Sequence, residues 1–166
     1  MSAKKEKSII LLHGMFDKGA FDILCQRKSS SIYVLEGRPS LGSGRHCSAE
    51  LLKRNIKPTL IADNMAGFLF FRKMVKEVWL AYHTADNNGG VCQVGGLILA
   101  VLGKRHHVPV YLYPAIEKSD LMGKEKDLFQ FNGVRVVPSG VRGYVPLVDW
   151  VPQKYITKMY PAFSIV

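Results

Sequence analysis

Short apolar runs punctuate the chain: "SIILLHG", "SIYVLEG", "TLIADN", "EVWLAYH" and "PVYLYP", with "VRVVPSG" a weaker sixth. Their near-continuous hydrophobicity, in place of strict alternation, is the pattern of strands covered on both faces. Helix-compatible stretches lie between them at 18–27, 49–55, 65–73 and 91–105. Strands buried on both faces and separated by helices predict an open α/β architecture, in which a mostly parallel sheet is crossed over in the right-handed sense. At 166 residues one such domain is expected over 8–166, preceded by a flexible tail at 1–7. No internal repeat or linker interrupts it, and the charged segment Glu117 to Asp127 reads as a surface excursion.

In open parallel sheets, ligands collect beyond the carboxyl ends of the strands. Polar and glycine residues fall there in this chain: His13-Gly14, Glu36-Gly37-Arg38, Asp63-Asn64, and His83 followed by Asp86 and Asn88. Arg38 and Arg45 are candidate phosphate ligands, because guanidinium groups take phosphate oxygens bidentately. A structural ion pair of either arginine with Glu36 or Asp63 is the alternative. Asp63 reads as a helix cap or as a catalytic carboxylate, and His83 as a hydrogen-bonded strand-end histidine or as a base. Gly89 and Gly90, placed just before the expected helix, offer backbone N–H groups to an anion or serve a tight turn.

Three cysteines, Cys25, Cys47 and Cys92, lack C-x-x-C spacing and are expected as reduced packing thiols, without a disulfide framework or a metal site. No run is long enough to cross a membrane as a helix and "MSAKKEKS" does not fit a signal peptide, so a cytoplasmic protein without a membrane is expected. The net charge of +10 would suit a nucleic-acid partner. However, the basic residues are scattered along the sequence and no nucleic-acid module signature accompanies them. A phosphorylated small molecule fits the charge as well, and no cofactor is implied.

"LEGRPSLGSGRHCSAELL", "TLIADNMAGFL", "NNGGVCQVGGLILAVLGKRHHVPVYLYPA" and "PLVDWVPQKYITKMYPA" follow one another in an order that resembles the superfamily of methylthioribose-1-phosphate isomerases. Ribose-1,5-bisphosphate isomerases and the alpha, beta and delta subunits of eukaryotic initiation factor 2B belong to the same superfamily. The resemblance runs from Ser8 to the C-terminus and implies a Rossmann-like three-layer domain, the family's C-terminal one. The family's helical N-terminal domain is expected to have no counterpart here, unless a separate partner chain supplies it. A homodimer is implied by the resemblance alone.

Position by position, the family's E-[ST]-R-P segment is matched by Glu36, Arg38 and Pro39, and the arginine of its Q-G-x-R element by Arg45. Gly42 and Ser43 replace the Gln and Gly of that element. Asp63 to Ala66 match D-S-M-A, and Asn88 with Gly89 match the family's N-G. Gln93 keeps an amide where the family has Asn, and Val94 stands at the ligand-contacting lysine. Gly14 stands where the isomerases carry a cysteine, and His83 where they carry the catalytic aspartate. Aldose–ketose interconversion moves a proton between adjacent carbons and needs a donor and an acceptor, which glycine cannot provide. Three readings follow: a catalytically altered, ligand-binding or regulatory relative, an isomerase working through His83 with Asp63 or Asp86, and a translation-factor-like subunit that works through contacts with protein or RNA.

Overall fold

The computed structural model describes residues 8–27 and 30–162, so the tail expected at 1–7 lies outside the described residues. The elements run β1 (Ile9–His13), α1 (Lys18–Cys25), β2 (Ser31–Leu35), α2 (Gly42–Lys53), β3 (Thr59–Ile61), α3 (Ala66–Phe71), β4 (Val75–Asp86) and β5 (Gly89–Gln93). They continue through α4 (Gly96–His106), β6 (Val110–Pro114), α5 (Glu125–Phe129), β7 (Gln130–Phe131), β8 (Val134–Arg135), β9 (Val148–Pro152) and β10 (Lys158–Met159). Six strands form a parallel sheet in the order β10-β6-β4-β1-β2-β3. From β1 the chain first builds toward β3, then returns past β1 to build the other side from β4. The strand order therefore reverses between β1 and β4.

The expected two-sided burial is realised residue by residue. Ile9 and Leu11 of β1 face a core shared with Ala66, Leu69 and Phe70 of α3 and Leu99 and Ala100 of α4. Ile10 and Leu12 face the opposite core, with Phe21 and Leu24 of α1 and Cys47 and Leu51 of α2. Since strand side chains alternate between faces, a strand flanked by two helical layers is apolar at every position, as all five residues of β1 are buried.

Several boundaries differ from expectation. β4 does not stop at His83 but continues to Asp86 and turns back as β5, which pairs antiparallel with it and with β9. The helix expected from Val91 begins at Gly96, so Gly89 and Gly90 are buried strand residues and the anion site expected at their helix start is not formed. A Cβ on Gly89 would stand 2.2 Å from the Val151 carbonyl, so close contact with β9 requires glycine there. Helix α2 starts at Gly42, seven residues before the expected stretch, and α3 follows a 3-10 turn at Asp63–Met65. "VRVVPSG" contributes only β8, which pairs with β7 in a separate small hairpin.

Candidate functional site

Six polypeptide segments, one of them contributing Leu147, close over a cleft at the carboxyl edge of the sheet, beside the β1/β4 reversal. Met15 follows β1, Arg38, Pro39, Ser40 and Ser43 follow β2, His83 stands on β4, Gln93 ends β5, and the 117–119 segment follows β6. The space is about 90 Å³. That is below the roughly 300–1,000 Å³ of whole small-molecule sites, so it matches one polar group of a ligand.

Asp63 organises this edge. Its two carboxylate oxygens accept the backbone N–H of Gly37 at 2.9 Å and of Arg38 at 2.8 Å, clamping the turn after β2 to the end of β3. The helix-cap reading of Asp63 is thereby corrected, since no side-chain cap bond is made to the 3-10 turn or to α3. Gly37 has φ +75°, and a Cβ there would lie 1.8 Å from Ser43 Oγ and 2.9 Å from the Gln93 amide nitrogen. Gly44 lies so close to the Glu36 backbone that a Cβ would come within 2.7 Å of its carbonyl oxygen. Glycines thus let helix α2 start directly under the turn.

Arg38 does not pair with Glu36 or Asp63. Its guanidinium donates to the carbonyl oxygens of Leu128 at 3.0 Å and Gln130 at 3.1 Å and lies over the Phe131 ring at 5.1 Å, tying the cleft to the α5–β7 segment. His83 Nδ1 stands 2.8 Å from the Glu117 carbonyl oxygen. A carbonyl only accepts, so Nδ1 carries the proton. Ser43, in the first turn of α2, is 2% exposed and its hydroxyl has no partner among the described residues.

Behind the cleft, His13 is 3% exposed, with Nε2 2.9 Å from the Val94 carbonyl and Nδ1 without a partner among the described residues. Burial pushes its pKa below the ordinary imidazole value, against the opposing pull of the Val94 carbonyl, Asp63 and Asp149. Asp149 on β9 accepts the backbone N–H groups of Gly95 and Leu97 at 3.0 and 3.2 Å, so the start of α4 is capped from a distant strand. Burial raises the Asp149 pKa.

Of the candidate residues, the cleft gathers Arg38, His83 and Gln93. Asp63 stands behind it as the clamp, and Glu36 ends β2. Arg45 is exposed on α2 and is not among the residues lining the cleft. Asp86 accepts the Asn88 N–H at 2.7 Å within the β4–β5 turn, so its carboxylate serves the hairpin. Asn88, Gly89 and Gly90 belong to that hairpin as well. Residue-type reasoning overlooked Ser43 and Asp149. Asp149 has a signal in sequence: "VGGLIL" lacks a Ser, Thr, Asp or Asn to cap α4, and "LVDWVP" places one acid inside an apolar run.

An open parallel sheet with a polar cleft at its strand-order reversal defines a Rossmann-like α/β domain. Comparison with known proteins narrows the class. The profile of the initiation factor 2 subunit family matches residues 4–160, and the chain belongs to that family. It is 32% identical over 144 residues to a methylthioribose-1-phosphate isomerase of Desulforudis audaxviator, across 80% of this chain and 41% of that protein. A Thermus thermophilus protein of the same name is 32% identical over 152 residues, covering 80% and 46%.

Among solved structures, the translation initiation factor eIF-2B subunit delta from A. fulgidus superposes with a TM-score of 0.79 at 18% identity, over 92% of this chain and 51% of that one. The 5-methylthioribose 1-phosphate isomerase from Pyrococcus horikoshii gives 0.78 at 22% identity, over 92% and 49%. Both share the fold. The chain spans less than half the length of these two curated relatives.

Proposed function

We propose that this chain is a catalytically altered relative of the sugar-phosphate isomerases that binds a phosphorylated sugar or nucleotide at the cleft of Arg38, Ser43, His83 and Gln93. The observation that carries the reading is Gly14. Its φ is +105°, and a Cβ there would stand 2.7 Å from the Ala81 Cβ, so the backbone itself leaves no room for the reacting side chain of the isomerases. Binding is favoured by what remains: the buried hydroxyl of Ser43 has no partner among the described residues, and Arg38 and Gln93 line the same small space. A phosphoryl group supplies an acceptor for the hydroxyl and a negative charge beside Arg38.

A screen of sugar phosphates and nucleotides by thermal shift tests this. A ligand at one hundred times its dissociation constant adds about 2.7 kcal/mol to the folded state. Arg38→Ala should weaken binding by roughly 1.5–3 kcal/mol, the worth of a charge-assisted bond. A flat screen would instead favour a regulatory subunit acting through protein contacts.

The second reading, an active isomerase, rests on His83. With Nδ1–H donated to the Glu117 carbonyl, Nε2 is the ring nitrogen left to act as a general base. Turnover of methylthioribose 1-phosphate at ordinary enzymatic rates, abolished by His83→Ala, would establish this reading and overturn the first. For pairing, we assign a second copy to α3 and α4, which expose Phe68, Phe71, Ile98 and Val101 on helices that pack together. Sedimentation of Phe71→Asp against the parent chain tests the assignment, and an unchanged oligomeric state removes it.

A further inference from the structure

The charge that looks scattered in sequence is gathered in space at the amino-terminal edge of the sheet, opposite the cleft. Lys73 follows α3, Lys76 begins β4, and Lys104, Arg105, His106 and His107 close α4, all of them exposed. One groove of about 490 Å³ is lined by Lys73, Lys76, Arg105, His106 and His107 over Phe70, Val75 and Val108. A second, of about 480 Å³, takes Lys104, His107, Lys154 and Tyr155. The two share His107 and Val108 and so adjoin. No Asp or Glu lines either, and none of these side chains enters an ion pair among the described residues.

Helix geometry accounts for part of this. The carbonyl end of α4 favours cations in its last turn, which explains Lys104 to His106. It does not explain Lys73 and Lys76, at the start of β4, or Lys154, which follows β9. Like charges converging on one groove repel, and a bound anion relieves the repulsion.

The chemistry of the floor selects the kind of anion. Phe70 and Val75 are only 1% and 3% exposed, so the groove offers no socket for the apolar anchor on which protein interfaces depend. Attraction must come from charge along a track, which is how a phosphodiester backbone is held. The Tyr155 ring, 5.1 Å beneath the Lys154 ammonium, places an aromatic side chain among the charges of the second groove, the combination by which single strands are held. We infer that this edge is a docking track for a single-stranded polynucleotide, separate from the cleft at the carboxyl edge.

The test is fluorescence anisotropy of a labelled oligouridylate of about twelve nucleotides against the whole chain at a series of salt concentrations. Binding should weaken linearly in log–log form, with a slope of about −3 to −4 for roughly five neutralised phosphates. Each contact on a single strand is worth about fourfold near 0.15 M salt, so Lys73→Glu with Arg105→Glu should weaken binding about tenfold or more. Lys124→Glu with Lys126→Glu, an equal charge change on the excursion, should leave it within about twofold.

Thermal melts check that both variants fold. If the first does not, Lys76→Gln with Lys154→Gln takes its place, and the same loss is expected. Equal weakening by the excursion variant, or no binding at the lowest salt, overturns the proposal. Tighter binding of a polyglutamate of matched charge also overturns it and assigns the edge to an acidic protein segment.

Discussion

Cys47 Sγ lies 3.2 Å from the carbonyl oxygen of Gly14. On the correspondence that the sequence resemblance implies, this sulfur of helix α2 stands beside the position of the isomerases' cysteine. It is held as the thiol, for Cys47 is 1% exposed and burial pushes its pKa up to about 12. At pH 8 the thiolate fraction is then about 10⁻⁴, so this sulfur is a packing group rather than a nucleophile.

Alkylation should separate the three thiols. With iodoacetamide at pH 8, the half-exposed Cys25 should be modified in the native chain while Cys47 and Cys92 are protected. All three should react after denaturation. Mass spectrometry of the peptides reads the result, and rapid native labelling of Cys47 would contradict its burial.

Restoring the family's residue by Gly14→Cys should not restore chemistry. The left-handed backbone and the 2.7 Å approach to Ala81 combine strain with overpacking, for a loss of about 2–4 kcal/mol in urea unfolding. Adding Ala81→Gly should recover the overpacking part alone.

Asp63→Ala should release the turn after β2. Two backbone donors lose a charged acceptor, which costs about 2–4 kcal/mol in denaturant unfolding, whereas Asp63→Asn retains one acceptor and should lose less. Faster amide exchange at Gly37 and Arg38 would locate the effect.

Acid should destabilise the fold through His13. Its folded pKa lies below the ordinary value of 6.5, so beneath that pH the unfolded chain binds the proton more readily. The stability is full above pH 6.5 and declines as pH falls, by up to about 1.4 kcal/mol per unit until the folded pKa is reached. His13→Gln should flatten the melting profile between pH 6.5 and 5. Asp149, with its raised pKa, contributes the opposite slope lower down, in the carboxylate range.

The three-layer fold was legible in the chain because strands buried on both faces leave an unmistakable apolar run, as β1, β2, β4 and β6 do. The β4–β5 hairpin was not. Its residues 84–88 are exposed and, but for Ala85, polar, while Gly89 and Gly90 are buried, a mixture that reads as a loop before a helix. At the candidate site, polar residues after apolar runs pointed to the edge where the cleft lies but not to the contacts made there. Asp63 and Arg38 spend their hydrogen-bonding groups on backbone partners 25 to 92 residues away, and such pairings are set by the tertiary fold. The basic edge was hidden for the same reason, because Lys73, Lys76, Lys104 and Lys154 are separated along the chain.

The central position of β1 has a consequence for synthesis. Ile9 pairs on one side with Ser31, 22 residues later, and on the other with Val75, 66 residues later. A ribosome adding roughly 5–20 residues per second needs about 2–9 s to cover the difference. For that interval a nascent β1–β2 pair has an apolar strand edge with no partner, and nothing downstream has yet been made to cap it. The growing chain is then most exposed to association with its neighbours on a polysome, and slower decoding between codons 31 and 75 would lengthen the exposure.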